Sequence, residues 1–261
     1  MSIADYIDLG AAYDAVDSCQ HGLRTRGVSV LPGFVPADLV GQMVAECDEL
    51  SRDAYHQDVL GTPYLERPSP EWPDGHPRRA TSRSSVRTVG YDQFPAMSVI
   101  RALFEWDDLM TFLGRVLGRE PLYRYADPIG ALNVAVMTEG DELGWHYDQT
   151  DFVVSLAIQS SESGGDFENV ALVRSDDDEN YDEVAAVLDG RRADRVTVEP
   201  MTPGTLMLFE GRRSLHRVTP VSAGRARYVA LFGYDTRPDT MSSDVLKQTR
   251  YGRTRPLNAT R

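Results

Sequence analysis

His146 and Asp148 stand two residues apart in GWHYDQTDF, just ahead of an apolar run. In extended backbone, residues i and i+2 project to the same face, so this imidazole and carboxylate can grip one metal ion together. Alone, such a pair reads as a solvated turn. A second histidine changes that. His216 lies 68 residues beyond Asp148 and opens another apolar run, after PGTLMLFEGRRSL. A strand returning across a β sandwich can bring it opposite the pair. Two histidines and one carboxylate on one face form the ligand set of non-haem Fe(II) sites, with positions left open for a bidentate co-substrate and O₂. Zinc hydrolases use similar ligands, but the HExxH helix expected of them is absent.

Arg227 follows His216 by 11 residues and sits in the apolar run RYVALFGY. A charge buried in such a strand is costly unless an anion meets it, and a ligand carboxylate offers a bidentate partner. Arg225, two residues earlier, shares that face by the same alternation. Both are candidates, with Arg227 favoured.

The elements that must position these residues divide the chain in two. Residues 1–26 predict a helix (Ile7, Ala11, Ala15 and Leu23 on one face), residues 27–34 a short strand, and residues 36–54 a helix through Leu39, Met43, Val44 and Leu50. The segment 61–95 holds Pro63, Pro68, Pro70, Pro73 and Pro77 and then the run RRATSRSSVR, and predicts a long loop with at most one short strand. Residues 97–118 return to helical spacing. From residue 121, short β-branched runs separated by Gly, Pro, Asp and Ser predict a β sandwich, barrel or double-sheet jelly roll. The acidic run 176–183 predicts a solvated loop, because it lacks EF-hand spacing and glycine. The basic stretch after Asp244, with Lys247, Arg250, Arg253, Arg255 and Arg261, predicts a frayed tail; a segment folded back over the site is the alternative. The expected organisation is one domain over 1–261: a helical part (1–120), a core (121–235) and a C-terminal extension (236–261).

With 261 residues, 41% of them hydrophobic and 26% charged, the composition is that of a globular protein with a sizeable core. The net charge of −13 disfavours nucleic acid and anionic membranes, which need a positive field. Cys19 and Cys47 show no CxxC spacing and read as buried free thiols. The acidic N-terminus lacks a signal-peptide pattern, so a cytoplasmic location is expected. A homodimer stays open.

The ordered strings TEGDELGWHYD, SGGDFE, PGTLMLF and LHRVTPVSAGRARY, over roughly residues 120–235, resemble the Fe(II)/2-oxoglutarate-dependent oxygenase superfamily. GVSVLPGFVP resembles the N-terminal strand and helix of such enzymes. The resemblance implies a mainly β fold with flanking helices and a double-stranded β-helix (jelly-roll) core. It implies Fe(II) held by His146, Asp148 and His216, with 2-oxoglutarate and O₂ as co-substrates and ascorbate as an in vitro reductant. Arg227, or else Arg225, would pair with the distal carboxylate of 2-oxoglutarate. Where many prolyl-hydroxylase-like members carry a tyrosine, this chain has Met137, so a polar partner must come from elsewhere. Asn133, on the same strand face, is a candidate for lining the co-substrate or for a sheet-edge hydrogen bond.

More narrowly, GWHYDQTDFVVSLAIQ and GGDFE resemble bacterial oxygenases that hydroxylate or chlorinate free amino acids, notably the lysine halogenase group and its hydroxylase relatives. Halogenases of this kind carry Gly or Ala where Asp148 stands, so Asp148 predicts hydroxylation. The expected substrate is a small molecule, a free cationic amino acid such as lysine. Trp145 and Tyr147 are candidate substrate contacts, and Arg83 and Arg87 (with Arg78 and Arg79) candidates for its carboxylate. Glu139, Asp141, Asp151 and Asp166 are candidates for its ammonium. The competing readings are a hydroxylase of another metabolite or of a peptide or protein side chain, a non-catalytic metal-binding jelly roll, and a radical halogenase.

Overall fold

In the computed structural model, which describes residues 3–257, the predicted first helix is broken. A 3₁₀ turn (Ile3–Asp5) precedes α1 (Leu9–Tyr13) and α2 (Val16–Arg26), and Gly27 ends α2 at φ +65°, the left-handed region that suits glycine. Strand β1 (Val28–Leu31) and helix α3 (Ala37–Leu50) follow as expected, with Pro36 at the N-cap of α3. Residues 97–118 form two helices, α4 (Val99–Glu105) and α5 (Asp107–Leu117), rather than one, separated by the extended Trp106.

The segment expected to be a loop is largely sheet. β2 (Tyr55–Gly61) pairs along its whole length with β3 (Ser82–Gly90). β3 then joins the two faces of the core: its end Arg87–Gly90 pairs with β5 (Leu132–Met137), while Ser84 and Ser85 pair with β6 (Glu142–His146). Polar residues hid this strand because one face of it meets ion-pair partners rather than apolar side chains.

The remaining strands are short and antiparallel. They are β4 (Tyr123–Arg124), β7 (Val153–Gln159), β8 (Ser163–Gly164), β9 (Phe167–Val170), β10 (Thr197–Glu199), β11 (Leu206–Phe209), β12 (Leu215–Val218), β13 (Val221–Ala223), β14 (Arg227–Phe232) and β15 (Tyr234–Asp235). The main sheet runs β1-β11-β7-β14-β5-β3-β6-β12-β9-β10. It folds on itself as a jelly roll, with Phe209 of β11 packed 5.0 Å from the ring of His216 on β12.

Alternation sorts the side chains into layers. On β7, β11, β14 and β5, residues such as Val154, Leu156, Leu208, Ala230 and Val134 face outward onto helices α2–α5 and form the largest apolar cluster. Their neighbours Ala135, Met137, Met207 and Phe209 face inward, where they meet Phe167 and Val218 from the opposite face. On the far side, Trp145, Tyr147, Val170 and Leu215 pack against α6 (Tyr181–Leu188). Burying each large side chain of these layers contributes roughly 1.5–3 kcal/mol.

Two further expectations change. The acidic run 176–183 is loop only in part, because its last three residues open α6 and Glu183 pairs there with Arg192 and Arg195 at 14% side-chain exposure. The C-terminal stretch is not a frayed tail. It forms α7 (Asp244–Tyr251), capped by Ser243 and ended by Gly252 at φ +68°, and packs against β2 and β3. Arg261 lies outside the described residues. Cys19 and Cys47 are buried and free. No described helix is long and apolar enough to cross a membrane.

Candidate metal centre and co-substrate pocket

His146 ends β6 and His216 lies on β12, and the antiparallel register sets the two directly across from each other. Each imidazole is turned by the same local device. Nδ1 of His146 lies 2.7 Å from the carbonyl of Gly144, and Nδ1 of His216 lies 3.0 Å from the carbonyl of Ser214. An Nδ1–H donated to the carbonyl two residues back leaves Nε2 as a lone pair facing inward, the form a metal ligand needs. Asp148 completes the set, with its Oδ2 3.3 Å from His216 Nε2 and its Oδ1 4.0 Å from His146 Nε2. One ligand atom from each of the three residues lies within 4.8 Å of the others.

The donor set fits a divalent cation. Burial, together with the neighbouring His216, lowers His146 to about 4 and so favours its neutral form. Burial opposes ionisation of Asp148, but the two histidines outweigh it and hold the carboxyl down at about 2. Burial likewise disfavours charge on His216, yet Asp148 raises it above its ordinary range. Oδ2 of Asp148 is buried without a hydrogen bond, a state expected of a carboxylate whose partner is an ion.

Asp148 owes its position to Gly211, in the turn between β11 and β12. Its backbone N–H donates to the carbonyl of Gly211 at 3.0 Å, and a Cβ on Gly211 would fall 2.2 Å from Asp148 Oδ2. A glycine straight after a strand that faces an HxD segment is the available signal.

A cavity of about 210 Å³ opens from the three ligands and runs along the inner face of the jelly roll. Arg227 lines it with Asn133, and their strands pair so that Arg227 stands opposite Met137. Arg227 is 6% exposed, and its one hydrogen-bond contact is to Met137 Sδ, 3.8 Å from Nη1. Burial lowers this guanidinium to about 10, with Asp166 the charge that opposes the effect. Asn133 Oδ1 is likewise buried without a partner. A buried cation and a free amide in one cavity fit a dicarboxylate such as 2-oxoglutarate. Arg225, by contrast, is exposed before β14 begins and donates to the carbonyl of Ser160 at 2.9 Å.

The residues expected at the substrate lie elsewhere. Trp145 and Tyr147 flank His146 in sequence, so alternation turns them to the outer face, where they pack with Val170 and Leu215 beside α6. Arg83 is spent on Asp58 at 2.8 Å, across the β2–β3 pair. Arg87 is spent on Asp141, which Ser85 and Thr138 also hold. Asp151 pairs with Arg119 and Arg212 outside the cavity. Of Glu139, Asp141, Asp151 and Asp166 none lines the cavity, and Asp148 is the single acidic residue among the described ones that does. Arg78 and Arg79 pair with Glu66 and Asp74, and His76 stacks on Trp72 at 4.2 Å.

The cavity wall is completed by residues not singled out as candidates from the sequence: Tyr125, Thr150 and Phe152 from the core, and Leu246, Arg250 and Tyr251 from α7. The C-terminal segment therefore folds back over the site. Two aspartates fasten it. Asp127 accepts from the backbone of Ser242 at 3.0 Å and faces Lys247 Nζ at 3.9 Å; Asp92 takes Arg253 at 2.7 Å and the N–H of Leu257 at 2.7 Å.

Solved structures share this architecture. A 2OG-Fe(II) oxygenase from Burkholderia pseudomallei superposes with a TM-score of 0.53 at 17% identity, over 85% of this chain and 91% of that one. A Pseudomonas putida prolyl-4-hydroxylase gives 0.52 at 16%, over 85% and 99%. The carbocyclase SnoK from nogalamycin biosynthesis gives 0.59 at 14%, over 93% of each chain. At these identities the likeness establishes the fold. No curated protein matches the chain. The fold is the one these oxygenase structures share, as the sequence resemblance implied, and His146, Asp148 and His216 stand together as a set that could hold a metal ion. One family model, described as Halogenase D, matches residues 11–251 and so runs from within α1 through the whole jelly roll to the end of α7. The chain belongs to the HalD (Halogenase D) family.

Proposed function

We propose that the protein is an Fe(II)/2-oxoglutarate-dependent hydroxylase of an unactivated C–H bond in a small molecule. Asp148 carries this reading, because a carboxylate closes the His146–His216 pair into a three-ligand set. Within a halogenase-named family, that carboxylate fills the place a halide would need. Iron with 2-oxoglutarate and O₂ supplies the oxidising chemistry when bound, and the chain does the rest. His146, Asp148 and His216 would hold the metal, Arg227 and Asn133 would bind and orient the co-substrate, and the apolar inner walls would keep water out.

The lid formed by α7 favours a small substrate over a peptide, because the helix covers the cavity that a peptide groove would need open. The finer proposal remains a free amino acid, with lysine as the leading cationic candidate from the sequence resemblance. Asp148 is the single acidic residue lining the cavity among the described ones, so the test covers neutral as well as cationic amino acids.

The experiment is a mass-spectrometric screen of the purified protein with Fe(II), 2-oxoglutarate and ascorbate in air, against the free proteinogenic amino acids. A product heavier by one oxygen, formed with succinate, supports the proposal. A chlorinated product with chloride present would instead make the protein a halogenase. No succinate from any mixture, with iron binding unchanged in His146→Ala, would overturn the oxygenase reading.

A further inference from the structure

Of the 27 described residues that line the cavity, all but His146, Asp148, His216, Arg227 and Arg250 are neither acidic, basic nor histidine, which makes the second arginine conspicuous: the two cationic side chains lining the chamber are Arg227 and Arg250.

Arg250 differs from the other arginines of the chain in its surroundings. Among the described arginines that are not exposed, only Arg227 and Arg250 lack an oxygen partner within hydrogen-bond or ion-pair distance. The Nε of Arg250 is buried with no hydrogen bond at all. Its helix is fastened at both ends, by Asp127 before it and Asp92 after it, so the guanidinium is held over the cavity rather than swung there by a loose tail. Its charge is felt at His146 and Asp148. Arg227 reaches the cavity from the first residue of β14, whereas Arg250 reaches it from α7, the helix that covers it.

We infer that Arg250 binds a carboxylate of the substrate, and that the substrate class is a small carboxylic acid, amino acids included; this rests on the oxygenase reading proposed above. An unpaired buried guanidinium is costly until an anion meets it, and a planar carboxylate matches its fork. The charges favour a single carboxylate group over a dianion. With Fe(II), the 2-oxoglutarate dianion, Asp148 and both arginines in place, the chamber carries one net positive charge, which one carboxylate neutralises and a phosphate dianion would overshoot. The arginine lines the same cavity as the three candidate ligands, so the carboxylate it holds fixes which carbon of the substrate approaches them.

The test is titration calorimetry under argon, on full-length protein loaded with Fe(II) and 2-oxoglutarate. The probes are the free amino acids, their carboxamides and small monocarboxylates. Wild type is expected to bind at least one carboxylate probe, and Arg250→Gln to weaken it roughly tenfold or more. Arg250→Lys should restore part of the loss, and the carboxamide should bind both proteins equally weakly. The affinity for 2-oxoglutarate should stay within about twofold in both variants, which also shows that they fold. Equal binding of the carboxylate to wild type and Arg250→Gln would overturn the inference, as would the absence of binding by every carboxylate probe. Loss of 2-oxoglutarate binding in Arg250→Gln would reassign the arginine to the co-substrate. Failure of wild type to bind 2-oxoglutarate would bring down the oxygenase reading itself, and the inference with it.

Discussion

Gly211 backs Asp148: its carbonyl accepts the aspartate N–H at 3.0 Å, and its missing side chain leaves the space that Asp148 Oδ2 fills. Gly211, in the turn between β11 and β12, thus decides whether the carboxylate can reach the histidines. Gly211→Ala would place a Cβ 2.2 Å from Oδ2, so Asp148 must move. The expected result is a 10–100-fold loss of iron affinity, roughly what disturbing the support of a metal ligand costs. Unchanged iron binding, measured by equilibrium dialysis, would show that the loop relaxes without disturbing the ligand.

Asp148→Gly removes the carboxylate and opens a coordination position. Hydroxylation should fall by roughly a hundredfold or more, because a ligand of the metal is lost outright. Chloride or bromide added to the variant tests whether a halide enters the vacant place, read as a halogenated product. Full hydroxylation by the variant would remove Asp148 from the ligand set.

Arg227 and Arg225 make opposite predictions. Arg227→Ala should raise the KM for 2-oxoglutarate roughly 30-fold or more, the equivalent of about 2 kcal/mol for a buried charge pair. Arg225→Ala, at an exposed site bonded to the Ser160 carbonyl, should change it by less than about twofold. Steady-state kinetics with 2-oxoglutarate as the varied substrate separates the two.

Asp127 ties α7 to the core, and its carboxyl is held below the ordinary range. Burial works the other way, but hydrogen bonds from Ile129, Gly130 and Ser242 outweigh it. A carboxyl with a lowered folded pKa stabilises the fold above its unfolded value near 4 and loses that contribution as pH falls through the folded value. Thermal midpoints between pH 7 and pH 3 should therefore fall more steeply in wild type than in Asp127→Asn. Parallel curves would show that Asp127 does not act through its charge.

Much of the metal site was legible in the chain because its logic is local. HxD spacing, a second histidine at the head of a strand and an arginine on the next strand follow from alternation, and the structure brings His146, Asp148 and His216 together with Arg227 in the same cavity. Alternation also explains the misses at Trp145 and Tyr147: one step along a strand turns a side chain to the opposite face. The strand β3 was hidden because ion pairs such as Arg83–Asp58 and Arg87–Asp141, rather than an apolar pattern, hold its polar face.

The sequence by itself determined the ligand types, their order and the jelly-roll character of the second half, since these rest on residue identity and short-range periodicity. Only the tertiary structure decided what covers the cavity. The docking of α7 depends on Asp92 and Asp127, more than a hundred residues away in the chain, and no local pattern encodes a contact over that separation. The same packing chose Arg250 over Arg83 and Arg87 for the chamber, because a guanidinium is free for a ligand only where no carboxylate of the fold has already claimed it.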